Sequence, residues 1–322
     1  MSRPSFFGPL IKSLHIDQSC LCWMKLTPFF QVMTNLRCLR LESRYRLDIS
    51  NLSTTAFSSV PPSASLVDFE TTYTFSAREV FTFLRSHPKL SSLRLGVVTC
   101  TDSDDDEPQS SLISMTPPPL LRVLELNIQD YGLSFATKVL RLSGSHLDDL
   151  SIQYSNHDMG ELESHPSVLA HFDALSACYD TLTQLSIENT PHKCDQPFSW
   201  IIANILPRTS NLRVLELRQP FSIDRFGSNN VEQVICIESF LPLISNFPKT
   251  LETLKWIGGD ACSPSMGSGL SVLGASNAKA LFKLFPSLKV VEYNERGYIF
   301  IFRRLADGVI KRRTMRGVER RI

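Results

Sequence analysis

His192 and Cys194 stand two residues apart in "NTPHKCDQP", and a thiol beside an imidazole is the pair that thiolate nucleophilic chemistry requires. They sit in a polar segment between apolar ones, and only convergence with an orienting third group would make them reactive. The stretch "GGDACSPSMGSGLSVLG" at 258–274 has the glycine content of a phosphate cradle. Val272 occupies the place of the third glycine after Gly267 and Gly269, and no Lys-Ser/Thr pair follows, so it reads as a loop. G-x-S-x-G and H-E-x-x-H are absent, and His, Asp and Glu do not cluster at metal-ligand spacing, so no catalytic residue, cofactor or metal is expected. Ser103, followed by three aspartates and a glutamate in "TDSDDDEPQSS", has the context of an acidophilic kinase site, inside an acidic insertion spanning 101–119.

The remaining chemistry is charge placed at regular intervals. The hexapeptide "LRVLEL" occurs at 121–126 and again at 212–217, and its skeleton, apolar-x-x-apolar-x-apolar, recurs along the chain. Copies begin at Ile11, Leu36, Leu66, Leu90, Leu121, Leu147, Leu182, Leu212, Leu251 and Leu288, with spacings between 24 and 39 residues. Alternation of this kind predicts a short strand whose apolar residues face inward, and a single such strand buries its face only when stacked on neighbours. The segments between copies carry helical signals. In "FSAREVFTFLRSHP", Ser76 and Glu79 form a capping box, Phe75 and Val80 a hydrophobic staple, and Pro88 ends the helix. Similar patterns occur in "SFATKVLRLSG", "SVLAHFDALSACYD", "PFSWIIANIL", "VEQVICIESFLPLISNF" and "SNAKALFKLFP".

This strand-loop-helix period resembles that of leucine-rich-repeat proteins. In its irregular spacing and its "HPKLSSLRL" and "FPSLKVVEY" entries the chain is similar to the repeat region of fungal F-box proteins. The resemblance implies an α/β solenoid, a horseshoe of about ten repeats over residues 1–299 with a parallel sheet on the concave face, followed by a basic C-terminal helix or tail at 300–322. It also implies a target-recognition role in a ubiquitin ligase, with a Skp-type adaptor and cullin as partners where an F-box is supplied; the alternative is a leucine-rich-repeat scaffold unconnected with ubiquitination. The first repeat starts at residue 11, so the F-box itself is expected to be absent. "LPLISNF" at 241–247 has the Leu-Pro opening of that motif, but the strand "LETLKW" follows at once, which makes Pro242 a first-turn helix residue. One departure stands out: none of the ten positions that carry the family's asparagine or cysteine, nine residues into each repeat, holds either, so the turns after the strands are expected to be irregular.

On a stacked sheet the variable residues around each inward pair share one face. The central position contributes Arg40, Glu70, Arg94, Glu125, Glu216, Lys255 and Glu292; the flanking positions add Glu42, Asp68, Asp149, Glu188 and Arg218. Acids outnumber bases there, and the expected ligand is a basic or mixed-charge protein segment bound in an acidic trough, with charge setting on-rate and partner choice. Tyr73 and Tyr154, seven residues into their repeats, are expected at the rim as aromatic anchors, with Tyr45 and Tyr131 nearby.

Composition bounds the remaining options. With 43% hydrophobic residues in 322 the chain has material for a continuous core, and a formal net charge of +1 gives no general attraction to nucleic acid. The last twenty residues are an exception, with eight bases against Asp307 and Glu319. Phe302, Leu305 and Val309 fall at helical spacing there, which predicts a helix covering the end of the array, with nuclear import or contact with an anionic surface as the other reading of the basic cluster. No run approaches the roughly 18 apolar residues of a membrane span, the N-terminus lacks a signal-peptide core, and eight scattered cysteines form no CxxC pair. A reduced chain in the cytoplasm or nucleus is expected, without a membrane partner.

Overall fold

The computed structural model describes residues 8–17, 30–42, 65–99, 120–129, 132–155, 166–190, 204–218, 247–257, 275–295 and 298–316. The fold is α/β with a mostly parallel sheet, and the chain divides into two compact units, residues 1–148 with 166–178 and residues 149–165 with 179–322.

In the first unit the main strands are β1 (Ser13–Asp17), β2 (Cys38–Glu42), β3 (Asp68–Thr71), β5 (Ser92–Thr99) and β6 (Val123–Gln129), parallel neighbours in that order. The two-residue strand β4 (Phe75–Ser76) pairs with the end of β5. Helices α1 (Ala77–Ser86), α2 (Gly132–Ser143) and α3 (Pro166–Ser176) supply the covering layer. Alternation in the strands turns Leu39, Leu41, Phe69, Leu93, Leu124 and Leu126 inward, where they are buried. Phe69 of β3 meets Phe83 of α1 with ring centroids 4.6 Å apart, and Phe81 meets Phe135 of α2 at 5.2 Å.

The second unit holds β7 (Asp149–Ser155), β8 (Gln184–Thr190), β9 (Val214–Arg218), β10 (Thr253–Ile257) and β11 (Val290–Glu295), again parallel in sequence order. Helix α4 (Ala275–Leu284) buries Ala278, Leu281 and Phe282, and Leu254 and Val291 are buried on the strands. Two further strands, β12 (Tyr298–Arg304) and β13 (Ile310–Arg316), continue the sheet antiparallel from β11.

The repeat hexapeptides map onto strands without exception: each of the ten begins two residues before a strand, from Ile11 and β1 to Leu288 and β11. Spacings of 24 to 39 residues therefore leave the register of the strand entries untouched, and length variation is confined to the connections. Entry to the strands is fixed by a recurrent joint. The carbonyl of the second residue of one repeat accepts the N–H groups of the second and third residues of the next, as Lys12 does from Arg37 and Cys38, and Glu252 from Lys289 and Val290, at 2.7–3.0 Å. The residue just before the repeat often adds a side-chain bond. Ser65 Oγ donates to the Thr34 and Leu36 carbonyls at 3.0 and 2.9 Å, Thr250 Oγ1 to those of Ser210 and Leu212 at 3.0 and 2.8 Å, and Asn35 and Asn211 to those of Pro9 and Asp180 at 2.8 and 2.6 Å. Ser287 bonds the Lys249 carbonyl in the same way.

One register irregularity falls in β5, where Arg94 faces Glu125 but Val97 faces Asn127. Gly96 lies in this bulge, and a Cβ there would come within 2.8 Å of the Thr72 carbonyl oxygen, so the close approach of the β3 exit requires glycine.

The capping box expected for α1 is present. Ser76 Oγ accepts the Glu79 N–H at 3.3 Å and Glu79 Oε2 accepts the Ser76 N–H at 2.9 Å. Ser76→Ala should lower stability in urea unfolding by about 0.5–2 kcal/mol, and Ser76→Gly by only a few tenths; no loss with Ser76→Ala would mean that the cap contributes nothing.

The C-terminal region departs from the expected helix. Residues 298–316 form a hairpin, in which Leu305 N–H donates to the Val309 carbonyl at 2.8 Å and Gly308 N–H to Leu305 at 3.0 Å. Gly308 has φ 81°, the left-handed conformation that a three-residue hairpin loop closing in a bulge requires. The physical reason is local: "YIFIF" is a run of β-branched and aromatic residues, and Asp307-Gly308 is a turn dipeptide, which together outweigh the helical spacing of Phe302, Leu305 and Val309.

Candidate functional site

Register brings the variable residues together within each unit. In the first, His15, Arg40, Glu70, Arg94 and Glu125 stand side by side across five strands. From Arg40 to Glu125 signs alternate along that row, and ion pairs follow. Arg40 Nη2 lies 3.1 Å from Glu70 Oε1, and Arg40 Nε donates to Glu42 Oε1 at 2.6 Å. His15 Nε2 lies 3.2 Å from Glu42 Oε2. Arg94 is shared among Asp68 at 3.2 Å, Glu70 at 4.0 Å and Glu125 at 3.9 Å. The hydrogen bond from Arg40 to Glu42 raises the pKa of the guanidinium against a smaller opposing effect of desolvation.

In the second unit the central row is Ser151, Ser186, Glu216, Lys255 and Glu292. Glu216 is only 5% exposed, an unusual location for a carboxylate. Lys255 Nζ donates to its Oε2 at 3.0 Å and Arg218 Nε to its Oε1. Burial alone would raise the carboxyl pKa, but Arg218 and Lys255 outweigh it and hold the group below the usual carboxylate range. Arg218 also lies 4.0 Å from Glu188, whose Oε1 accepts from Gln153 Nε2 at 3.1 Å. Asp149 and Glu292 are half-buried on the same face.

These contacts revise the expected acidic trough. Arg40, Arg94, Arg218 and Lys255 are each bonded to acids of their own face, so each row presents linked opposite charges rather than an open anionic channel. The two anchors are also corrected. Tyr73 and Tyr154 are 3% and 2% exposed, core residues rather than rim residues. The reason lies in the period of two: seven residues after the repeat start continues the inward series, as Leu150, Ile152 and Tyr154 show. Ser103, the acidic insertion, His192, Cys194, the glycine-rich loop, Tyr45 and Tyr131 lie outside the described residues.

Sequence reasoning missed the burial of Glu216 and the Asn, Ser or Thr residue that precedes six of the ten repeats. The second had a signal, because the residue preceding the repeat is Asn, Ser or Thr at 35, 65, 181, 211, 250 and 287. Among the described residues no group of three or more His, Cys, Asp or Glu side chains could hold a metal ion, and no helix is long and apolar enough to cross a membrane. Burial pushes the Cys178 thiol up to about 12, which leaves it protonated and unreactive at neutral pH. No family model matches the chain, and no curated protein matches it.

Proposed function

We propose that the chain is a non-enzymatic protein-interaction module of leucine-rich-repeat type whose charged sheet face recognises a protein partner of mixed charge. The observation that carries this reading is register: variable residues from successive repeats stand in unbroken rows, so a partner meets a surface assembled from many short segments. Linked charges at such rows favour discrimination over raw affinity. A partner with matching alternation exchanges pairs, while a uniformly charged one leaves half the groups unmatched. On the resemblance to fungal F-box proteins, the role is target recognition in an F-box-type ubiquitin ligase.

The test compares capture from lysate by the intact chain and by a Glu70→Lys, Glu125→Lys double variant. Both acids belong to solvent-exposed or half-buried pairs, whose loss costs roughly 1 kcal/mol or less each. Proteins captured by the intact chain and lost with the variant support the face. A Skp-type adaptor and cullin among the captured proteins support the ligase role, and their absence leaves a repeat scaffold outside ubiquitination. Identical capture by both chains overturns recognition through this face.

A further inference from the structure

The hairpin at 298–316 ends the strand order with β13, and among the described residues no strand pairs its outer side. An uncovered strand edge presents a row of backbone donors and acceptors, and proteins protect such edges or use them. The direction of each group on β13 follows from the hairpin. Leu305 and Val309 form a hydrogen-bonded pair, so alternation turns the N–H and C=O groups of Lys311, Arg313 and Met315 toward β12. Those of Ile310, Arg312 and Thr314 point outward, available to another strand.

The side chains select what can pair there. Lys311, Arg312 and Arg313 are consecutive and exposed, so cations project from both faces of the edge. Arg303, opposite Lys311, adds a fourth beside them. Two copies of this edge would bring like charges directly across from each other, which disfavours self-pairing. Arg312 lies over Phe300, 4.9 Å from the ring centroid, and 6.0 Å from Phe302, so it covers aromatic surface that a nucleic-acid base would need for stacking. A polypeptide with consecutive acids satisfies both features, since its backbone pairs with the outward groups and its carboxylates fall opposite the cations on both faces.

We propose that the β13 edge accepts an acidic, extended segment of another protein as an added antiparallel or parallel strand. The probe is a ten-residue fluorescent peptide with three consecutive glutamates flanked by valine and threonine, titrated into the full chain at low salt and followed by anisotropy. Binding is expected to weaken with salt and to fall about tenfold with Lys311→Glu and Arg313→Glu together. Thr314→Pro keeps every charge and removes one outward N–H, a substitution that an edge strand tolerates, and it should weaken the peptide comparably with the thermal melt unchanged. The same peptide N-methylated at alternate backbone positions should also lose binding. Equal affinity of the methylated peptide, or of the Thr314→Pro chain, overturns strand addition in favour of charge attraction alone. Tighter binding of a single-stranded oligonucleotide or of phosphatidylserine vesicles than of the peptide overturns the choice of partner.

Discussion

Tyr154→Ala is expected to destabilise the second unit by roughly 3–5 kcal/mol, the range for removing a large aromatic from a packed core. The ring is 2% exposed at the inward end of β7, and burial drives the pKa of its phenol upward, as expected of a hydroxyl withdrawn from water. Truncation there removes apolar contacts and leaves a cavity that the neighbouring strands of a hydrogen-bonded sheet cannot close. Tyr154→Phe keeps the ring and its packing and should therefore cost much less than the alanine change. Urea unfolding followed by far-UV circular dichroism separates the two. If alanine left the midpoint unchanged while impairing capture of a partner, Tyr154 would be a binding anchor after all.

Glu216→Gln is expected to cost about 1.5–3 kcal/mol at neutral pH, the range for hydrogen bonds to charged groups. The lower half applies, because Arg218 and Lys255 are 37% and 34% exposed and water screens them. The sign of the pH dependence follows from the shift. The folded carboxyl titrates below its unfolded value, so its contribution is full above the ordinary glutamate range, near 4.3, and disappears as pH falls through the folded pKa. Stabilities of the parent and the glutamine variant should therefore differ most at neutral pH and draw together as pH falls from about 4.3 through the folded pKa. A constant difference from pH 7 to pH 3 would show that packing, not charge, distinguishes them.

The strand positions were legible because apolar-x-x-apolar-x-apolar states which residues turn inward, and burial of Leu39, Leu124 or Leu254 is what that alternation requires. Residue identity at the variable positions was legible too, and from it the rows in each unit. Pairing was not, because charge counts carry no distances: Arg94 reaches three acids through the geometry of the sheet, and Glu216 is buried through the reach of two long cationic side chains. Tyr73 and Tyr154 were misplaced by stopping the period of two one step early. At the C-terminus two periodicities competed over the same residues, and the Asp307-Gly308 turn decided between them.

The joint at the strand entries has a consequence for how such a chain can lengthen. A segment cut from one repeat start to the next contains both an accepting carbonyl in its second residue and the donors that seek the same carbonyl of its predecessor. Each segment is thus its own plug and socket. Copying a whole segment in tandem supplies both halves of the joint without a compensating change elsewhere, whereas deleting the second or third residue of a repeat leaves a donor or acceptor stranded. Growth and loss by whole strand-to-strand segments, with connections of any convenient length, is the variation that this sheet tolerates.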